Sequence, residues 1–457
     1  MKPPLARLAR MMMVVLLLTV AARPSVAQSQ QVLRDSETEL LFKDISRPLI
    51  EAAGLDPGSV NVVLLSDPEI NAFVAIGQNV YLQAGLLDAA DDVGQLQGVI
   101  AHELGHVNQG VSIRMAEGSR QATGMTIATL ILGALAIAAG AGDAGMGIMA
   151  AGQQAAMGQF LAFTRSQESS ADQAGAKYLS ASGISGKGLL AFFGKLQNQE
   201  YRLAIYSKDS YERTHPLSSE RVQALEHKLR ADAAWDAPTN PQLNARFLRV
   251  KAKLSGFSNP RQATTKYPES DQSVPGHYAR AYAYHISGYP DKALAEAEAL
   301  LATNPKDPFF LELKGQILLE GGKPDEAIAP LREATELSRS SPLIASMLGH
   351  ALVETGTPAN FAEAKKVLKA AVNRDNQNPF AWYQLGVIYD REGDLSRAAL
   401  ATAERSNLED KPKLALASAE RAMKGIPSGS PDWLRAQDIA MVSRAELKKK
   451  NRKDRTE

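Results

Sequence analysis

The sequence predicts a mainly α-helical protein in two parts, an N-terminal helical domain with a small β-sheet and a C-terminal α-solenoid of helix pairs. Three observations predict this fold. An H-E-x-x-H motif at His102–His106 lies inside a helical pattern, two strand-like runs flank Gly77, and a 34-residue repeat begins near Val274.

The first 27 residues have the three-part pattern of a secretory signal peptide. A basic start precedes an apolar run at 11–22 and small residues at Ser25 and Ala27, which predicts cleavage after Ala27 and export to the periplasm. An N-terminal membrane anchor is the alternative, but the apolar run is short for a span. Because the chain has no cysteine, a lipoprotein anchor and disulfides are excluded.

The charge balance excludes nucleic acid as a partner. Removing residues 1–27 takes away four basic residues and no acidic ones, so the formal net charge changes from +1 to −3. A near-neutral chain has no electrostatic footprint for nucleic acid. The basic residues after Lys448 are interpreted as a frayed, solvated terminus.

The strand-like segment 71–82 predicts two short strands around Gly77-Gln78-Asn79. An exposed edge there could hold substrate as an added strand, with Asn71 and Phe73 as candidate contacts. Support of the fold alone is an equal alternative.

The H-E-x-x-H motif carries the chemistry. His102 and His106 lie four residues apart on one helix face, where both can bind one zinc ion, and Glu103 can take a proton from water. The acidic residues Asp91 and Asp92 precede the apolar period, which predicts a helix that starts there and places the motif in its middle.

A catalytic zinc needs a third protein ligand, and Glu168 is the candidate. Glu168 and Asp172 are four apart on another predicted helix, so Asp172 can hydrogen-bond a ligand histidine while Glu168 reaches the metal. An ordinary acidic helix face is the alternative.

The segment 121–164 contains one charged residue, Asp143. A single membrane crossing would put His102 and Glu168 on opposite sides, and the glutamines of the second half disfavour two crossings. The sequence therefore predicts a helical hairpin that packs on the domain or rests against a membrane or partner. Core packing is the alternative, and a lid over the zinc is a further hypothesis.

The second half repeats itself every 34 residues, as Pro308 and Pro342 show. Trp382-x-x-Leu385-Gly386-x-x-Tyr389 resembles the tetratricopeptide (TPR) consensus, so four helix pairs are predicted from near Pro275, Pro308, Pro342 and Pro379, with a degenerate pair at 413–445. One repeat has three extra residues, which are assigned to the turn 355–358. A short bridging helix is predicted at 243–254, and 258–275 is rich in turn residues.

Together, the motif at His102, Glu168-x-x-x-Asp172 and His215-Pro216 with Arg221 resemble the zinc peptidases that include the CAAX prenyl-protein proteases and the HtpX membrane proteases. The resemblance implies a gluzincin-type metallopeptidase fold, one Zn²⁺ per subunit, and ligands His102, His106 and Glu168. It implies that Asp172 is a supporting residue and that His215 lies near the metal, as a fourth resting ligand or a transition-state contact. Arg221 is a candidate substrate contact.

With an export signal and TPR repeats, the resemblance implies a periplasmic endopeptidase that degrades misassembled outer-membrane proteins. Its implied partners are those proteins and the barrel assembly machinery, and peripheral contact with a membrane is also expected. The competing function is a non-proteolytic TPR adaptor or chaperone. The predicted divisions are 1–27 (signal peptide), 28–235 (metallopeptidase), 236–275 (bridge), 276–445 (TPR) and 446–457 (basic tail).

Overall fold

The computed structural model describes residues 31–75, 77–110, 123, 125–133, 142–203 and 215–453. The predicted signal peptide lies outside these ranges, as does part of the predicted insert. Within them the protein is mainly helical and has one four-stranded sheet, as the sequence predicts.

The N-terminal domain places helices around the small sheet. Its elements are β1 (Val32–Leu33), α1 (Ser36–Ala52), β2 (Val60–Leu65), β3 (Ala72–Ala75), β4 (Gln78–Gln83), α2 (Ala84–Ala89), α3 (Val93–Gln109), α4 (Gly142–Ala181), α5 (Lys187–Leu203) and α6 (Ser219–Arg230). Its apolar core contains side chains from α1, the sheet and α3 to α6.

The sheet has the strand order β1-β2-β4-β3. Strands β2 and β4 run parallel, whereas β1 pairs antiparallel with β2 and β3 pairs antiparallel with β4. Gly77 makes the tight β3–β4 connection at φ 81°, a conformation that favours glycine. The two strands predicted at 71–82 are therefore present, and β3 is an edge strand.

Two helices connect the domain to the array: α7 (Pro241–Ser258) and α8 (Pro260–Lys266). Phe247 and Val250 of α7 are buried in the core of the N-terminal domain. The bridging helix is therefore longer than predicted and belongs to that core. Within the turn-rich stretch after it, Asn259 caps α8 and Pro260 occupies its first turn, so a short helix forms there.

Five helix pairs form the array: α9 (Val274–Ile286) with α10 (Pro290–Thr303), α11 (Pro308–Glu320) with α12 (Pro324–Leu337), α13 (Pro342–Glu354) with α14 (Pro358–Arg374), α15 (Pro379–Arg391) with α16 (Leu395–Leu408), and α17 (Pro412–Gly425) with α18 (Pro431–Lys453). Most of these helices begin at a proline, whose fixed φ and missing N–H suit the first turn.

Two predictions for the array are wrong. The three extra residues do not lie in the turn 355–358, because α14 has 17 residues where α12 has 14. They extend the helix at its start, because Ala327 is the fourth residue of α12 whereas the equivalent Ala364 is the seventh residue of α14. The basic tail is not frayed up to Lys453, because α18 continues to that residue.

The predicted insert forms helix at 125–133 and in the first half of α4. A Cβ added at Gly152 would lie 2.1 Å from Oγ1 of Thr129, so the two helices are in close contact, as predicted for a hairpin. Large apolar side chains on it are exposed, including Ile131, Leu132 and Met157, which argues against core packing. No helix in the described part of the chain combines the length and apolar character that a membrane crossing requires.

Candidate metal centre

Helix α3 holds the histidine pair. The Asp92 side chain caps its start by accepting from the backbone N–H of Gln95, and Gly110 ends it in the left-handed region. Between these caps, His102 and His106 project from one face, and their Nε2 atoms lie 3.1 Å apart. Both are buried.

Helix α4 brings Glu168 and Asp172 against this face because glycines permit close contact. A Cβ on Gly105 would lie 2.8 Å from the carbonyl oxygen of Ala171, and a Cβ on Gly175 would lie 3.0 Å from the backbone nitrogen of His102. Any larger residue at Gly105 would push the helices apart. The carboxylates would then move away from the histidines.

Four side chains converge at the centre of the site: His102, His106, Glu168 and His215. Nε2 of His102 lies 3.4 Å from Oε2 of Glu168 and 3.3 Å from Nδ1 of His215. Nε2 of His106 lies 3.3 Å from Oε1 of Glu168. Metal bonds of about 2.0–2.2 Å place tetrahedral ligands roughly 3.3–3.6 Å apart, so these separations fit a four-coordinate cation.

The hydrogen-bond partners of His102 and His215 also fit a cation bound between these side chains. Nδ1 of His102 lies 3.0 Å from Oδ1 of Asp172, and Nε2 of His215 lies 3.1 Å from the carbonyl oxygen of Ala72. Because both oxygens can only accept, these nitrogens carry the hydrogens when the rings are neutral, as they would be with a metal ion bound. The opposite nitrogens therefore turn lone pairs toward Glu168, and a metal ion would balance this convergence of acceptors.

The pKa values of these side chains are shifted because charged groups lie close together at the centre of the site. Burial lowers the pKa of His106, whereas contacts with Asp172 and Glu168 outweigh burial and raise the pKa of His102 to about 10. Despite burial, His215 and the motif histidines hold the pKa of Glu168 below its ordinary value. The site thus favours ionised Glu168 and positive charge beside it, part of which Arg221 supplies, since its Nη1 lies 3.2 Å from Oε2 of Glu168.

Glu103 lies beside these four side chains and is fully buried. Neither of its carboxylate oxygens has a hydrogen-bond partner among the described residues, and Oε1 lies 3.5 Å from Nε2 of His215. A buried carboxylate with open acceptor positions is suited to accept a proton from a bound water.

Arg221 supports the site from α6. Its Nε and Nη2 donate to the two oxygens of Asp172 at 2.8 and 2.9 Å, and Nη1 donates to the carbonyl oxygen of Pro216. Despite burial, His102 and Arg221 hold the pKa of Asp172 low. Arg221 thus fixes both Asp172 and the segment that carries His215. A contact between Arg221 and the substrate remains a prediction.

The structure places the other predicted substrate contacts on the edge strand. Asn71 is buried just before β3, and Phe73 stacks on Tyr81 with ring centroids 5.2 Å apart. His215 joins this strand to the ligand cluster through its bond to Ala72. A role of Asn71 or Phe73 in binding substrate remains a prediction.

Sequence reasoning missed the glycines that allow the two ligand helices to meet. Gly105 occupies a variable position of the motif, and Gly175 follows Asp172 by three residues. Glycine inside a helical pattern is unfavourable unless close packing requires it, so these two positions were the available signal.

A helix with the H-E-x-x-H motif that packs against a helix carrying a buried glutamate has the side chains of a metallopeptidase site. The sequence model of Peptidase family M48 matches residues 36–229, and that of the tetratricopeptide repeat matches 278–342 and 347–410. The chain therefore carries an M48 peptidase domain followed by TPR repeats.

The chain is also similar to three curated proteins. The beta-barrel assembly-enhancing protease of Escherichia coli K12 is 28% identical over 270 residues, which cover 57% of this chain and 54% of the relative. A putative beta-barrel assembly-enhancing protease of Vibrio cholerae is 26% identical over 62% of this chain and 59% of its own length. Metalloprotease LoiP of Escherichia coli K12 is 30% identical over 38% of this chain and 64% of its own length. The alignments thus span about half the length of the first relatives.

Proposed function

We propose that this protein is a zinc-dependent endopeptidase of the periplasm. The observation that carries the proposal is the buried cluster of His102, His106, Glu168 and His215, beside which the carboxylate of Glu103 has no hydrogen-bond partner among the described residues. The match to Peptidase family M48 supports the same reaction class.

The chain's residues have distinct roles in this reaction. His102, His106 and Glu168 hold the metal, and Asp172 orients His102. Zinc supplies Lewis acidity, which polarises a carbonyl and lowers the pKa of water. Glu103 accepts the proton of the attacking water and passes it to the leaving amine.

We propose that His215 closes the resting site as a fourth ligand. Its Nδ1 lies 3.3 Å from Nε2 of His102 and 3.2 Å from Oε2 of Glu168, as expected for ligands of one ion. A peptide added along β3 would pass this imidazole, because Nε2 of His215 bonds to Ala72 on that strand. Substrate binding would therefore require the segment with His215 to move.

The proposed substrates are misassembled outer-membrane proteins, and the proposed role of the array is to recruit them or the assembly machinery. This assignment is supported by the name of the beta-barrel assembly-enhancing relatives and by the TPR match. Export by cleavage after Ala27 and the predicted domain limits belong to the same proposal.

The exposed apolar hairpin is proposed to contact a membrane surface. Ile131, Leu132 and Met157 are each more than half exposed, and several large apolar side chains exposed on one hairpin can mark a membrane contact. Flotation with vesicles of outer-membrane lipids tests this. A triple serine variant of these residues should lose binding, and equal flotation of both proteins would contradict the contact.

Substitution of Glu103 tests the peptidase proposal most directly. Glu103→Gln is expected to reduce cleavage of casein about 10²- to 10⁴-fold, because it removes the base. Zinc content should be unchanged, since Glu103 is not a ligand. The exposed Glu51→Gln on α1 is the matched control.

The alternative function is a non-proteolytic TPR adaptor or chaperone. It predicts that Glu103→Gln retains the ability to suppress aggregation of an unfolded barrel protein and that the unaltered chain shows no cleavage. Cleavage that survives Glu103→Gln would instead overturn the proposed mechanism.

A further inference from the structure

A second polar site lies at the seam between the peptidase domain and the array. A cavity of about 310 Å³ opens there. Residues 33–36 and the end of α7 form one side, and α9, α11, α13 and α15 supply the other. These are the first helices of four successive repeats, so the cavity is continuous with one face of the array. Its volume lies at the lower end of the range for ligand sites.

Glu312 of α11 lines this cavity and is the polar group that its surroundings leave unsatisfied. Only 7% of the surface of Glu312 is exposed to solvent. Oε2 has no hydrogen-bond partner among the described residues. A buried acceptor without a partner is costly, so a ligand that donates to it gains the stabilisation that the free protein lacks.

The nearby cations are already paired with other carboxylates. Lys253 pairs with Asp35, Arg249 with Glu37 and Asp307, and Arg34 with Glu39 and Asp375. Burial, together with Asp35, Glu37 and Glu39, outweighs the influence of Lys253 and raises the pKa of Glu312 to about 8. Lys253 lines the same cavity as Glu312, but among the described residues it pairs with Asp35 and Glu37 and forms no ion pair with Glu312.

The walls of the cavity suit an aliphatic stem. Leu343, Met347, Phe257 and Phe380 contribute apolar surface, and the two phenylalanines are partly exposed at about 40%. Basic side chains bury their methylene stems against such surfaces and carry the charge at the tip. Here the charge would reach the carboxylate of Glu312.

We propose that this seam cavity binds a basic side chain of a partner peptide, whose cationic group pairs with Glu312. A peptide is favoured over a free amine because the chain on either side of the basic residue can lie along the first helices of the neighbouring repeats. The inference rests on the proposed recruiting role of the array and specifies the chemistry that the array selects. It does not depend on hydrolysis.

Binding to the full-length Glu103→Gln protein, which prevents cleavage, tests the proposal. The probes are two fluorescein-labelled heptapeptides, Gly-Ser-Phe-Lys-Phe-Ser-Gly and the same peptide with norleucine in place of lysine, read by fluorescence anisotropy. At pH 9, where Glu312 is ionised and lysine still carries its charge, the lysine peptide is expected to bind about ten-fold more tightly or better, because only it can pair with Glu312.

Glu312→Gln should reduce this preference to near unity, whereas the exposed Glu298→Gln on α10 should preserve it. Thermal unfolding of Glu312→Gln shows whether the variant is folded, and an uncharged side chain there should not lower its stability. Equal binding of both peptides, no binding of either at millimolar concentration, or an unchanged preference in Glu312→Gln would overturn the proposal. Equally tight, Glu312-dependent binding of cadaverine would overturn the assignment to a peptide.

Discussion

The array and the candidate metal centre use close helix contacts for different purposes. In the array, a Cβ at Gly315 would lie 2.4 Å from Leu331, and one repeat later a Cβ at Gly349 would lie 2.5 Å from Leu368. The same apolar contact recurs within each of these helix pairs, so each repeat is held together by the same packing of its two helices. At the metal centre, Gly105 permits a close approach that brings charged side chains together. That contact serves the site at a cost to stability.

The difference follows from what each region buries. The array buries apolar side chains, whose removal from water favours folding. The metal centre buries Glu103, Glu168 and Asp172, which are stable there only with compensating charge. Substitutions in the two regions should therefore give separable effects on metal binding and on unfolding.

The largest effect is expected from Glu168→Ala. Loss of a direct ligand should reduce zinc affinity by more than the ~10–100-fold that loss of a supporting residue costs. Zinc content after dialysis, measured by mass spectrometry, checks this, with the exposed Glu226→Ala as control. Unfolding of the array should be unaffected. Retention of stoichiometric zinc would remove Glu168 from the ligand set.

The matching change in the array is Leu368→Ala. Leu368 is fully buried against Gly349, so truncation should lower the free energy of unfolding by about 2–5 kcal/mol. Urea unfolding followed by circular dichroism measures the loss, and the exposed Leu414→Ala should change it little. Zinc content should remain that of the unaltered protein. If zinc were lost as well, the two regions would not be separable.

The two regions also differ in how far sequence predicts them. The 34-residue spacing predicted the starts of α11 and α13, and the same spacing with three extra residues predicted the start of α15, because each repeat is specified by nearby residues. The motif and the Glu168–Asp172 pair predicted which side chains to bring together. Two contacts could not be predicted, because they join residues far apart in sequence. These are the hydrogen bond of His215 to Ala72 and the hydrogen bonds of Arg221 to Asp172.

Asp172→Asn tests a supporting residue rather than a ligand. The amide can still approach Nδ1 of His102 but carries no charge, so zinc affinity should fall by about 10–100-fold. Competition with a fluorescent zinc chelator measures the change. Asp172→Glu, which keeps the charge, is the paired control. A loss as large as that of Glu168→Ala would indicate direct ligation instead.

The smallest effect concerns the extended helix α14. Thr357 caps its start, and Oγ1 accepts from the backbone N–H of Asn360 at 3.3 Å. Thr357→Ala should lower the free energy of unfolding by about 1 kcal/mol, and Thr357→Ser should retain most of it. Because the three extra residues lengthen α14, the cap stabilises a turn that α12 lacks. A loss as large as that of Leu368→Ala would mean that this turn supports the packing of neighbouring repeats, so the array would be less modular than its repeated glycine contacts imply.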